Sequence, residues 1–223
     1  MKLSLPVLIV NLKEYDEALG NSPLKFAQTA KRLSKKYNIT ILIAPPDPFI
    51  DNTAEITLTL SQHLDPFEPG AHTGALLAKE IKELGAIGSL INHSEKRIPL
   101  DDINKCVDLC KEYELISVVC VQNCKEAEEL AISEPDFIAI EPPELIGGEV
   151  SVSSAKPEII KSSVDCVKKI SLHTEVLCGA GIKNGNDVRK AIELGAKGVL
   201  VASGVVKSPD IEKSIEELIG GMI

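Results

Sequence analysis

The chain has no tryptophan, and aromatic residues make up only 3% of its 223 residues. Its core must therefore be aliphatic, built from Ile, Leu, Val and Ala. A basic excess is also missing: 24 Lys and Arg stand against 33 Asp and Glu, for a net charge of −9. Nucleic-acid binding calls for a basic face, so that class is excluded. Any anionic ligand would have to be met locally, because the overall field repels it. No apolar run approaches the ~20 residues a membrane span requires. No secretory leader with a small-residue cleavage site is found at the N-terminus, so a cytoplasmic location is expected. The six cysteines, Cys106, Cys110, Cys120, Cys124, Cys166 and Cys178, are too sparse for a disulfide scaffold. Cys106 and Cys110 share a helical face with Ile103 and Val107, which fits buried thiols. The Cys-x3-Cys pairs lack partner histidines at zinc-site spacing, so no metal is expected.

What the chain does have is a rhythm. Apolar runs fall near 6–12, 39–45, 57–64, 86–92, 116–122, 137–141, 175–179 and 198–202. Several are continuous, as strands covered on both faces are. Helical periodicity fills the spaces between them: Phe26, Ala30, Leu33 and Tyr37; Leu77, Ile81 and Leu84; Ile211, Ile215, Leu218 and Ile219. Ser22-Pro23 and Ser208-Pro209 read as helix starts, and Gly85 and Gly195 as helix ends. The span 47–55 leaves room for only a very short helix after the second strand. Eight strands alternating with helices predict one α/β domain over 1–223, a (β/α)8 barrel with trimmed helices. A doubly wound open sheet is the alternative. It would leave the candidate residues dispersed, and no Gly-x-Gly-x-x-Gly follows the first strand.

Chemistry in such folds gathers at the carboxyl ends of the strands. Asn11 and Lys13 lie at the end of the first run, where Lys13 is either a cation facing ligand oxygens or an ordinary loop lysine. His93 follows the fourth run, and Ser94-Glu95 reads as the opening of a helical turn. A helix N-terminus disfavours imidazolium, so His93 would be a neutral hydrogen-bond donor, or else a structural histidine. Glu141 ends the sixth run ahead of Pro142-Pro143, in a position suited to a general base. Pro142 to Gly148 reads as a loop with a stiff start and a Gly147-Gly148 hinge. Gly179-Ala180-Gly181 and Ala202-Ser203-Gly204 follow the seventh and eighth runs, where barrels cradle phosphate on backbone amides.

Together these motifs resemble triosephosphate isomerase over nearly the whole chain. Asn11-x-Lys13 is similar to that family's first-strand motif. Asn92-His93-Ser94-Glu95 is similar to its histidine segment. Glu141-Pro142-Pro143 through Gly147-Gly148 is similar to its base and lid, and Gly70-Ala71-His72-Thr73-Gly74 to its protruding third loop. Cys178-Gly179-Ala180-Gly181-Ile182 resembles the short archaeal enzymes. The resemblance implies interconversion of glyceraldehyde 3-phosphate and dihydroxyacetone phosphate through an enediolate, in glycolysis and gluconeogenesis, with no cofactor or metal. Glu141 would be the base and His93 the proton shuttle. Lys13 and Asn11 would face the reacting oxygens, and Glu95 would orient Lys13. Gly181, Ala202 and Ser203 would hold the phosphate, with Ile146 closing over it. A homo-oligomer, as a homotetramer, is implied as well. A different phosphate-binding barrel, or a non-catalytic sugar-phosphate binder, remains open at this point.

Overall fold

Each apolar run becomes a short parallel strand, and the strands close on themselves in chain order. The computed structural model describes residues 3–143 and 157–223. The strands are β1 (Val7–Asn11), β2 (Thr40–Ala44), β3 (Leu58–Ser61), β4 (Gly88–Ile91), β5 (Ile116–Val121), β6 (Phe137–Ile140), β7 (Glu175–Cys178) and β8 (Gly198–Val201). β1 pairs with β2 on one side and with β8 on the other, which completes the ring.

The continuous runs are explained by burial on both faces. Val7, Ile9, Leu42, Leu90, Val118, Leu177 and Leu200 pack together as the barrel's own filling. The residues between them point outward. Leu8, Val10, Ile41 and Ile43 lie under Phe26, Ala30 and Leu33 of α1 (Ser22–Tyr37). Ile91, Val119 and Ile138 lie under Ile103, Val107 and Cys110 of α4 (Leu100–Glu112). The expected aliphatic core is thus present as a lumen and an outer layer.

The remaining α-helices among the described residues are α2 (Ile50–Ala54), α3 (Ala78–Glu83), α5 (Cys124–Ala131), α6 (Pro157–Ile170), α7 (Gly185–Glu193), α8 (Ser203–Val206) and α9 (Ile211–Ile219). α2 is as short as the sequence predicts. Gly85 and Gly195 sit just past α3 and α7 with positive φ, as expected of helix ends. The two Ser-Pro starts need correction. Ser22 already belongs to α1, and its N-cap Asn21 makes no capping bond. At α9 the cap is Asp210, whose carboxylate accepts the Lys213 amide. A charged acceptor beyond Pro209 takes the place expected of Ser208. The third run is also overlong at 57–64, because pairing stops at Ser61 and the chain turns away.

The cysteines divide into two groups. Cys106, Cys110, Cys120 and Cys178 are buried free thiols. Cys124 and Cys166 form a disulfide between α5 and α6, across 42 positions of sequence. Local spacing holds no sign of it.

Leu42 is fully buried in the lumen. Leu42→Ala should therefore lower stability by about 2–5 kcal/mol, the range for a core leucine that leaves a cavity. Urea unfolding measures this, and a loss below ~1 kcal/mol would mean the lumen is loosely filled.

Candidate active site

The mouth of the barrel is assembled from strand ends that are far apart in sequence. β1 stops at Asn11, and Lys13 follows in the left-handed region with φ of 50°. A non-glycine residue there needs support. The Lys13 amide donates to Asn11 Oδ1 at 3.0 Å. Its carbonyl accepts from Gln62 Nε2 at 3.3 Å, and the same Gln62 nitrogen donates to the Ala44 carbonyl at 3.2 Å. Held on both sides, Lys13 turns its side chain across the mouth. Its Nζ lies 2.8 Å from Glu95 Oε1 and 5.9 Å from the centre of the Tyr15 ring. The lysine side chain is 14% exposed and the glutamate 60%. A pair with one partner so open to water adds little stability, and its effect is to orient the cation.

β4 ends at Ile91, and Asn92 takes φ of 60°. The Asn92 side chain stitches the turn together: Nδ2 donates to the Cys120 carbonyl at 2.9 Å, and Oδ1 accepts the Ile98 amide at 3.1 Å. His93 follows, but no helix begins here as the sequence suggested. Only one hydrogen-bonded turn forms, Lys96 N to His93 O at 2.8 Å, and α4 starts later at Leu100. The Nδ1 side of the imidazole faces Glu95, whose Oε2 lies 3.7 Å away. Glu95 N–H donates to His93 Nδ1 at 3.2 Å. Nδ1 must accept there, so the neutral ring carries its proton on Nε2. That nitrogen lies 3.2 Å from Glu141 Oε1.

Glu141 directly follows β6, with its amide donated to the Val121 carbonyl at 2.7 Å. It is only 2% exposed. A buried carboxylate needs donors, and His93 meets this one at Oε1, the Ser94 amide meets Oε2 at 3.2 Å, and the Cys120 thiol also bonds it. Gly179 makes room for it. A Cβ at position 179 would come within 2.8 Å of Glu141 Cγ, so the smallest residue is required there.

The loops after β7 and β8 complete a cleft of about 220 Å³. Gly179 to Ile182 and Leu200 to Gly204 line it together with Asn11, Lys13, Tyr15, His93, Ser94, Glu95 and Glu141. This is small against the roughly 300–1,000 Å³ of drug-sized pockets, so it suits a ligand of few atoms. The described lining has one cation, Lys13, and two carboxylates. The expected residues Asn11, Lys13, His93, Glu95, Glu141, Gly181, Ala202 and Ser203 thus converge on one cleft. Ile146 and the Gly147-Gly148 hinge lie outside the described residues.

Sequence reasoning missed the parts that hold this site together. Gln62 braces Lys13, the Ser94 amide holds Glu141, and Tyr15 walls the cleft. Only Tyr15 carried a sequence signal, by lying two positions beyond Lys13. An amide donor is present whatever the side chain, so Ser94 had none.

Comparison with known proteins followed the same line. The family model for triosephosphate isomerase matches residues 6–218. The triosephosphate isomerase of Methanothermus fervidus is 44% identical over 220 residues, covering 97% of this chain and 99% of that protein. The triosephosphate isomerase of Methanocaldococcus jannaschii is 45% identical over 217 residues, covering 96% and 98%. That of Methanosarcina barkeri is 43% identical over 219 residues, covering 97% and 99%.

Two thiols lie close beneath this cleft. Burial pushes Cys178 up to about 12. Burial, and then the Glu141 charge, pushes Cys120 well above the usual thiol range. The thiolate is the reactive form. At pH 8 neither should be alkylated by iodoacetamide in the native protein, and both should react in guanidinium. Peptide mass mapping reads this, and native labelling at Cys120 would contradict the buried arrangement.

Proposed function

Because the chain belongs to the triosephosphate isomerase family, we propose that its cleft carries out that family's reaction with the residues assembled there. The reaction is the interconversion of D-glyceraldehyde 3-phosphate and dihydroxyacetone phosphate, an aldose–ketose isomerisation. The observation that carries the assignment of roles is one contact. A buried carboxylate, Glu141, lies 3.2 Å from His93 Nε2, the nitrogen left to donate when Nδ1 accepts the Glu95 amide. Base and acid stand side by side at one end of a small cleft.

In the proposed sequence Glu141 takes the proton from the carbon next to the substrate carbonyl. The C–H electrons form the enediol double bond, and the carbonyl electrons move onto oxygen. His93 gives its Nε2 proton to that oxygen and receives one from the neighbouring hydroxyl. Glu141 then returns its proton to the adjacent carbon. Each transfer conserves charge, and His93 ends as it began. Charge developing on the enediolate is met by donors already in place, which is the most effective form of stabilisation. Lys13 supplies the cation. Asn11 Oδ1 accepts the Lys13 amide, so its Nδ2 is assigned to the substrate. Glu95, 2.8 Å from Lys13 Nζ, orients the lysine. Both Glu141 oxygens are engaged in the resting site. The carboxylate must therefore leave the Ser94 amide when it turns to the substrate.

The phosphate would rest on the amides of Gly181, Ala202 and Ser203. Glycine and alanine let the backbone approach an anion closely, and the amides at a helix start have no partner within the helix. Ile146 is assigned to the same side, on sequence resemblance alone. Residues 1–223 are taken as one domain. The wider reading is a cytoplasmic homotetramer of archaeal type acting in glycolysis and gluconeogenesis. It is supported by archaeal relatives and by two exposed apolar residues suited to subunit contacts, Phe67 in the third loop and Leu100 at the start of α4. No described helix is long and apolar enough to cross a membrane.

A coupled assay of glyceraldehyde 3-phosphate conversion tests the roles. Glu141→Gln should lose at least ~10²-fold in kcat, the low end for a general base. Gly179→Ala should displace the same carboxylate and lose up to ~10²-fold in kcat, the scale of an ångström-level misplacement. Full activity in Glu141→Gln would remove Glu141 as the base. Light scattering at micromolar concentration should return four copies of the chain.

A further inference from the structure

α5 and α6 pack side by side on the outside of the barrel, and their facing surfaces carry Cys124 and Cys166. Cys124 is the first residue of α5 and is partly exposed, while Cys166 is buried within α6. Glu128 lies four residues after Cys124, on the same face of α5, and is open to solvent. The two sulfurs and a Glu128 carboxylate oxygen all lie within 4.8 Å of one another. The active-site cleft uses none of the three residues.

We propose that, in its dithiol form, the Cys124–Glu128–Cys166 cluster binds one thiophilic divalent cation of the zinc class, and that the disulfide is its oxidised, metal-free state.

The ligand set selects the metal. Two thiolates favour a soft or borderline ion, and one carboxylate completes three protein ligands of a tetrahedron, with water for the fourth. Metal–sulfur bonds of about 2.3 Å set two tetrahedral sulfurs roughly 3.8 Å apart. Cα atoms 6.2 Å apart supply that separation by side-chain rotation alone. The helix start that carries Cys124 is fixed in place. Asn123 Oδ1 accepts the Glu126 amide at 3.0 Å, and Glu126 Oε2 accepts the Gln122 amide at 2.8 Å. Exposed Glu128 and half-open Cys124 give an ion its way in, and Cys166 closes the inner side.

The two states interconvert with balanced chemistry. A dithiol reductant supplies two electrons and two protons, which turn the disulfide into two thiols. The reductant itself becomes a disulfide. Entry of the cation then displaces both thiol protons to solvent. In a reducing compartment the dithiol is the prevailing form. Either the covalent bond or the metal would tie α5 to α6 around the segment that contains Glu141.

The test uses the full chain and does not depend on isomerase activity. Protein reduced with a phosphine and exchanged into metal-free buffer is titrated with Co²⁺. One equivalent should produce a sulfur-to-cobalt charge-transfer band and tetrahedral d–d bands, and Zn²⁺ should abolish both. The oxidised protein and Cys166→Ser should show neither. Glu128→Gln should keep the thiolate band but bind at least ~10-fold more weakly, the low end even for outer-shell partners. A second measurement needs no variant. In the reduced wild type, Zn²⁺ should protect Cys124 from alkylation. A missing thiolate band in the reduced wild type, bands that persist in Cys166→Ser, or equal alkylation with and without Zn²⁺ would each overturn the proposal.

Discussion

The pairing of the first strand with the last is the constraint on which the site depends. Val7, Leu8, Ile9 and Val10 register against Gly198, Val199, Leu200 and Val201. That ladder sets the Lys13 loop beside the Ala202–Gly204 loop. In an open sheet the same two loops would stand at opposite edges. Gly198 permits the approach. A Cβ there would lie 2.1 Å from the Val7 carbonyl, and the residue has φ of 150°, which side chains disfavour. Closure of the ring therefore rests in part on one residue with no side chain at the start of β8.

Five described non-glycine residues have positive φ, and two of them, Lys13 and Asn92, form part of the cleft or immediately precede it. Such conformations cost of order 1–3 kcal/mol and last only where neighbours over-determine them. Here the neighbours can be named. Asn11 and Gln62 hold the backbone of Lys13, and Cys120 and Ile98 hold the side chain of Asn92. Asn11 and Cys120 lie in β1 and β5 and Gln62 directly follows β3, so the ring holds most of the contacts that offset the strain of these two turns.

How far the sequence could be read follows from which features leave a chemical trace. Strands enclosed on both faces must be continuously apolar, so all eight were visible. Glu141 was visible because a carboxylate between an apolar run and two prolines has little reason to be there. Strand ends were less clear. The third run stays apolar to Leu64 although pairing stops at Ser61, because Leu64 is buried under α4 rather than in the sheet. Asp210 caps α9 in place of Ser208 because the helix starts at Ile211, beyond Pro209, a boundary that hydropathy does not record. The turn at His93 looked helical because Ser-Glu is a common helix opening, whereas the following Lys96 to Pro99 carries the chain away. The Cys124–Cys166 bridge and the Gln62 brace depend on contacts across distant elements, for which one sequence has no local mark.

The net charge of −9 poses a final problem, since the ligand on the proposed reading is itself an anion. The described cleft adds two carboxylates and one lysine, and that lysine is already shared with Glu95. Side-chain charge therefore cannot supply the affinity. What remains is the backbone: the amides of the seventh and eighth loops, brought within reach by small residues. Fixed dipoles of this kind attract an anion at short range without altering the repulsive far field. The Glu95 amide also sets the hydrogen-bonding side of His93, because it donates to Nδ1. With Nδ1 held as an acceptor, the proton stays on Nε2, beside the carboxylate that needs it and at the end of the cleft where the substrate's oxygens would lie.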